Sequence, residues 1–353
     1  MAYTTIDDPS AFFQTTLYTG NGGTQSITND GNSDLKPDWL WTKSRSDASF
    51  HLVTDSTRGT GKRLYTNSTS VEESHSNMVT AFNSDGFSVG NHSAINTNNY
   101  NYVAWQWEAN GGTTTSFSES GNNPGGNRQT NTDAGFSIIS YTGTGANASC
   151  VLAHGLPSTP EFVVFKRRNA ANWWVTYHQG IGVDYKLALQ VTAGKDADGA
   201  FMNGTIPDAT NIYVGGTSVH TNADNGTYIC YAFSPIQGYS KFGSYVGNGN
   251  GNGPFVYTGF KPAWVMIKRT DTTGGWTIYD HKRGHNGNNY ELFPHSAEAE
   301  YTGTSYFEAD ILSNGFKLRL TDGQINASGG TYVYMAFAEN PFVTSTGIMG
   351  TAR

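Results

Sequence analysis

Cysteine is nearly missing from this chain: Cys150 and Cys230 are the only two in 353 residues. A disulfide framework therefore cannot hold a protein of this size together, and both thiols are expected free and buried in strands. Charge is scarce as well. Asp, Glu, Lys and Arg make up 14% of the residues, against about a quarter in an ordinary domain. A net charge of -7 supplies no clustered Lys and Arg for phosphates, which excludes nucleic acid as a partner. No stretch reaches the roughly 18 apolar residues of a membrane-spanning helix, so membrane insertion is not expected. The opening "MAYTTIDDPSAFFQ" has neither the basic flank nor the apolar run of a secretory leader, which points to synthesis in a reducing cytoplasm. Sustained 3.6-residue apolar periodicity is also wanting, and that excludes a helical architecture.

What remains is turn-and-strand material. Aromatic residues make up 13% of the chain, Gly occurs 43 times, and Asn, Ser and Thr are abundant. That combination favours short strands and tight turns, while the aromatic content and modest net charge argue against disorder.

The stretch "KPDWLWTK" (Lys36 to Lys43) returns as "TPEFVVFK" (Thr159 to Lys166) and as "KPAWVMIK" (Lys261 to Lys268). Each copy sits in a longer unit. A unit opens on "YTGNGG", "YTGTGA" or "YVGNGN" at Tyr18, Tyr141 and Tyr245, and the Pro follows 19, 19 and 17 residues later. From Pro to Lys is six residues every time, and twelve more lead to Asp55, His178 and Asp280. The unit closes on "YVAWQW", "YICYAF" or "YVYMAF", with 84, 87 and 87 residues between opening and closing Tyr. Constant spacing in three copies marks a triplicated unit.

Each unit holds short apolar runs bounded by Pro, Gly and polar loops, which reads as an all-β sandwich of the jelly-roll or lectin type. The expected organisation is repeat one at 1–107, a Gly/Ser/Asn/Thr-rich linker at 108–135, repeat two at 136–238, repeat three at 239–337 and an arm at 338–353. The linker, with almost nothing apolar in it, is expected to be flexible.

The repeated charges invite a catalytic reading, but a folding role explains better why they recur at fixed spacing with one partner changed to His. Lys43 with Asp55, Lys166 with His178 and Lys268 with Asp280 are expected to face each other across hairpins and set register. The Arg-Gly pairs at Arg58 and Arg283 are expected to form turns, and Ile181 stands in their place in repeat two. Asp30, Asn32 and Asp34 space like a calcium loop, yet Trp41 occupies the position a bidentate Glu would need. His281 and His285 lie four apart in a loop, a poor metal site. A glycosidase would need two facing carboxylates, and Glu72, Glu73, Asp133, Glu161, Glu291, Glu298, Glu300 and Glu308 show no recurring pattern. Hence no metal, cofactor or catalytic residue is expected. Binding candidates are aromatic: Trp173, Trp174 and Trp276, with His51 in register, could stack on a sugar face or cover an interface.

The opening "FFQTTLYTGNGGTQSITNDGNSDLKPDWLWTK" and the closing "YVYMAFAENPFVTSTG" resemble a family of tail and capsid surface proteins of marine bacteriophages. The resemblance implies tandem lectin-like β-sandwich repeats, no enzymatic activity and a place on the virion surface after assembly in the host cytoplasm. It implies a tail-fibre or appendage component contacting host-surface glycans, or else a capsid decoration protein stabilising the head. A polysaccharide-degrading enzyme on the same sandwich is the third alternative. Implied partners are other virion proteins, host-surface carbohydrate and further copies of the chain, as in a trimer.

Overall fold

The computed structural model describes residues 2–216, 218–284, 286, 290–302 and 309–350. Their regular structure is almost wholly antiparallel strand, as the composition implies.

The same strand order occurs three times. In repeat one Phe13–Thr19 lies beside Asn101–Trp107, then Trp39–Ser44, then Leu52–Asp55. Repeat two orders Phe136–Thr142, Thr227–Phe233, Phe162–Arg167 and Trp174–His178 in the same way. Repeat three does so with Ser240–Val246, Thr331–Pro341, Phe260–Arg269 and Trp276–Asp280. A smaller sheet accompanies each: Gln25–Ile27 with Phe87–Val89 and Val79–Phe82; Cys150–Ala153 with Asn211–Val214; Phe255–Tyr257 with Gly315–Leu318 and Ala309–Leu312.

The recurring Tyr and Gly have a common mechanical cause. Opening and closing Tyr are cross-strand neighbours and stack: Tyr18 on Tyr102 at 5.0 Å, Tyr141 on Tyr228 at 5.1 Å, Tyr245 on Tyr332 at 4.9 Å. The closing hydroxyl then accepts from a backbone N–H five residues upstream, at Thr97, Ala223 and Ala327. That loop carries the backbone so close to Gly20, Gly143 and Gly247 that a Cβ there would meet a carbonyl oxygen at 2.1, 2.5 and 2.3 Å. Only Gly fits.

The core departs from three separate sandwiches. One face of each larger sheet packs on its own smaller sheet, as Leu40, Leu52 and Ala104 do on Ile27, Phe87 and Val89 in repeat one. The opposite faces meet in a single central core shared by all three repeats. Trp39 stacks on Tyr231 at 4.7 Å, Phe162 on Phe242 at 6.0 Å, and Phe13 on Phe337 at 5.4 Å, so each repeat touches both others. Strands buried on both faces explain why "WLWTK" and "WVMIK" read as unbroken apolar runs instead of alternating. Each buried aromatic ring contributes about 1.5–3 kcal/mol, and rings of different repeats bury one another in this core.

The flexible-linker expectation fails. Thr115–Phe117 and Gly125–Asn131 form a hairpin that adds two strands to the edge of the sheet of repeat two, with Gly125 opposite Thr142 and Asn131 opposite Phe136. Composition misled here because the stabilising bonds are main-chain ones, which polar residues make as well as apolar ones. Cys150 and Cys230 are free and buried, as expected.

Candidate functional site

The repeated Lys residues do not face the repeated acids. Hairpin register puts Trp39 opposite Asp55, Phe162 opposite His178 and Trp264 opposite Asp280, four residues from each Lys. The loop of each hairpin is shorter than the expected pairing requires, and this corrects the pairs Lys43–Asp55, Lys166–His178 and Lys268–Asp280. The two ends of the hairpin serve different purposes.

At the Lys end the ammonium is buried and held by carbonyls. Lys43 Nζ donates to Ser44 O at 2.6 Å and Asp47 O at 3.1 Å. Lys166 Nζ donates to Asn172 O and, across the seam in repeat one, to Thr69 O at 2.9 Å. Lys268 Nζ donates to Gly274 O at 2.6 Å and to Thr192 O of repeat two at 3.1 Å. Burial pushes all three down, Lys43 to about 8 and Lys166 and Lys268 to about 7.

At the acid end the carboxylates lock the turn and reach the next repeat. Asp55 accepts from Arg58 N at 2.8 Å and from the Arg58 guanidinium, and Tyr231 of repeat two donates to its Oδ2 at 2.6 Å. Asp280 accepts likewise from Arg283 and, at 2.9 Å, from Trp105 Nε1 of repeat one. Arg58 continues to Glu72, which Arg168 of repeat two grips; Arg283 continues to Glu300, which Arg45 of repeat one grips. In repeat two the corresponding His178 bonds the Tyr334 carbonyl of repeat three at 3.1 Å and receives Gly180 N. Burial drives His178 down to about 4. The seams thus run from one to two, two to three and three to one, closing a ring within a single chain. Glu72 and Glu300 do recur, contrary to the sequence reading; loops of unequal length before them hid the match.

Three of the four aromatic candidates are seam residues too. Trp174 Nε1 donates to Tyr65 O of repeat one at 2.6 Å, and Trp276 Nε1 donates to Ala188 O of repeat two at 2.9 Å. His51 holds the corresponding place in repeat one, buried, bonded to Trp41 Nε1 at 3.0 Å and facing the Phe293 backbone of repeat three. None of the three can stack on a sugar. Trp173 differs in being open to solvent: it is 38% exposed, tilted against His220 at 6.0 Å with Lys186 Nζ 5.7 Å over its ring. Its register mate in repeat one, Phe50, is 49% exposed. With Tyr100, Asp47, Ser49, Ser93 and Thr97, Phe50 lines a groove of about 340 Å³ at the seam between repeats three and one.

Asp30 spends its charge on Lys282 at 2.8 Å, and no group of three metal-ligating side chains gathers among the described residues. His285 and Glu308 lie outside the described residues. Tyr231, Trp105, Arg45 and Arg168 went unnoticed in the sequence. Arg45 and Arg168 both stand two past the repeated Lys; the signal for the other two is a residue three past the closing Tyr, which reads Trp105, Tyr231 and Met335. Repeat three lacks a donor there, and the seam it faces is the one where Asp and Arg are replaced by His178 and Ile181.

No curated protein and no solved structure shows significant similarity to the chain. A family model described as a domain of unknown function, DUF7483, matches residues 8–341 and so spans all three repeats as one unit. A match over nearly the whole chain, treating the closed ring as a single module, makes this protein a member of the DUF7483 family.

Proposed function

We propose that the chain is a non-enzymatic structural protein of a bacteriophage particle, displayed on its surface and contacting host-surface glycans through aromatic shelves at Phe50 and Trp173. The observation carrying this reading is the use of the repeated polar groups: every matched Lys, Asp and His is buried and bonded to backbone or to the neighbouring repeat. Groups committed in this way make a rigid scaffold, and the resemblance to marine phage surface proteins supplies its place. Exposed rings flanked by hydroxyls, carboxylate and imidazole suit the faces and edges of sugars, and many copies on a particle would sum weak contacts.

A second reading, head decoration, draws on the C-terminal arm. Its hairpin, closed by Thr344 N to Ile348 O at 2.8 Å, carries Ile348 and Met349 at 67% and 62% exposure. A protruding apolar tip suits a strap between capsid neighbours.

Binding of the purified protein to host polysaccharide, abolished in the Phe50→Ala/Trp173→Ala double variant, would uphold the adhesin. Absence of binding to any host glycan, with antibody labelling confined to the head, would transfer the role to decoration. Release of reducing sugar from that polymer would overturn the non-enzymatic reading.

A further inference from the structure

The edge strands of repeats one and two are equivalent, but only one has company. Glu108 N to Phe12 O (3.0 Å) and Gly20 N to Tyr100 O (2.8 Å) fix the phase of the ladder between Phe13–Thr19 and Asn101–Trp107. That phase turns the N–H and C=O of Phe13, Thr15, Leu17 and Thr19 outward. In repeat two Ser234 N to Gly135 O (2.9 Å) and Gly143 N to Gly226 O (2.7 Å) set the same phase. There the outward residues Phe136, Ile138, Ser140 and Thr142 pair with Asn131, Gln129, Asn127 and Gly125.

Gln129 also pins that added strand to the seam. Its Nε2 donates to Ser56 Oγ at 2.7 Å and Thr57 Oγ1 at 2.6 Å, both in repeat one. By the repeat spacing the counterparts of Ser56, Thr57 and Ile138 one seam away are His281, Lys282 and Thr15. Those three line one cavity of about 140 Å³, together with Ser10, Gln14 and Asn340. Among the described residues Phe13–Thr19 ends its sheet. Thr15 is 1% exposed and its Oγ1 lacks a hydrogen-bond partner, while Leu17 is 37% exposed. The Thr19 carbonyl is taken by Gln25 Nε2 at 3.1 Å, so the edge without a partner strand runs from Phe13 to Leu17, with Phe13 and Thr15 buried against the cavity and Leu17 exposed.

We propose that this edge and its cavity form a docking site for one extended polypeptide strand of a partner protein, carrying amide or hydroxyl side chains at alternate positions as Asn127, Gln129 and Asn131 do. The chain itself demonstrates the fit at the equivalent edge. Main-chain bonds to Thr15 and Leu17 supply affinity, and an amide reaching into the cavity toward Thr15 Oγ1 supplies selection. A second copy is a poorer occupant, because its matching strand is already paired within its own repeat two. The site is independent of glycan binding and of location on a virion.

The probe is a labelled synthetic peptide of residues 123–133 titrated with the full chain by fluorescence anisotropy. Saturable binding is expected, together with its loss when Pro replaces the residue matching Gln129. Leu17→Pro removes an outward N–H and leaves the ladder to Asn101–Trp107 intact, so it should weaken binding at least about tenfold. Thr15→Val, which alters only the hydroxyl, should weaken it as well, with melting temperature reporting folding for both. The proposal is overturned by no binding up to about 1 mM peptide, or by binding that both protein variants retain. It is also overturned by a concentration-dependent dimer in sedimentation that Leu17→Pro abolishes, which would make a second copy the occupant.

Discussion

The Tyr231 hydroxyl donates to Asp55 Oδ2 at 2.6 Å across the seam between repeats one and two, and Trp105 Nε1 does the same for Asp280 at 2.9 Å between repeats three and one. In both places the carboxylate is fully buried against an Arg of its own turn. The two ways of disturbing this arrangement should differ sharply. Tyr231→Phe removes one donor and leaves the ion pair intact, which should cost about 1 kcal/mol. Asp55→Ala strands the Arg58 guanidinium in the core and should cost about 3–5 kcal/mol. Urea unfolding of the two variants measures both; equal losses would show that Asp55 is held by Tyr231 rather than by Arg58.

The odd seam offers a sterner test. His178, Ile181 and Met335 together occupy the places held elsewhere by Asp, Arg and an aromatic donor, and His178 meets a carbonyl in place of a hydroxyl. His178→Asp alone would bury a carboxylate with no cation and turn it toward the Tyr334 oxygen, a loss of about 3–5 kcal/mol. Adding Ile181→Arg and Met335→Tyr should recover part of it, with a coupling of about 0.5–3 kcal/mol. A strictly additive triple variant would refute the idea that the three positions act as one unit.

Much of this fold was legible in the sequence, and the limits have physical causes. Spacing alone exposed the triplication, because a copied unit must keep its turns and strands in step. The all-β class followed from short apolar runs and Gly-rich turns. Register was not legible: the repeated Lys and the Asp or His after it are twelve apart in every repeat, but pairing depends on loop length, which residues 45–51 do not reveal. The ring of seams was hidden for a related reason. Trp174 reads equally well as a ring for sugar and as a ring for the neighbouring repeat, and only its indole N–H on Tyr65 O decides. The hairpin at 115–131 stayed invisible because its bonds are made by backbone, which carries no signature in composition.

Acid should loosen the seams. His178 and His295 are held near 4 by burial, and His51 is pushed well down as well. Unfolded, each would titrate near 6.5, so between pH 6.5 and 4 the unfolded chain binds more protons and stability falls as pH falls. Glu108, raised to about 7 by burial and by Asp38 and Asp133, opposes this trend, since it gives stability that is lost as pH rises. The clean measurement is therefore a difference. His178→Gln should lose less stability than the parent between pH 7 and 4.5, by about 2 kcal/mol. Parallel curves would mean that His178 takes up its proton in the folded ring just as it does in the unfolded chain.

The linker hairpin gives the last prediction, and Asp38 decides it. Its Oδ2 accepts Ala109 N at 2.8 Å and Gly111 N at 2.7 Å, while its Oδ1 accepts Ser56 Oγ, so the chain leaving repeat one is aimed at the edge of repeat two. In repeat three Ala263 stands at this position, and the departing chain there turns into the arm instead. Asp38→Ala should leave Ala109 N without its acceptor, costing about 1–3 kcal/mol, and let residues 108–131 open as a unit while the shared core holds. Local opening of that kind exposes Arg128 to trypsin well before the repeats unfold. Limited proteolysis should then show faster cleavage after Arg128 at an almost unchanged core melting temperature. If cleavage appears only together with global unfolding, the hairpin is not a separable strap but part of the cooperative fold.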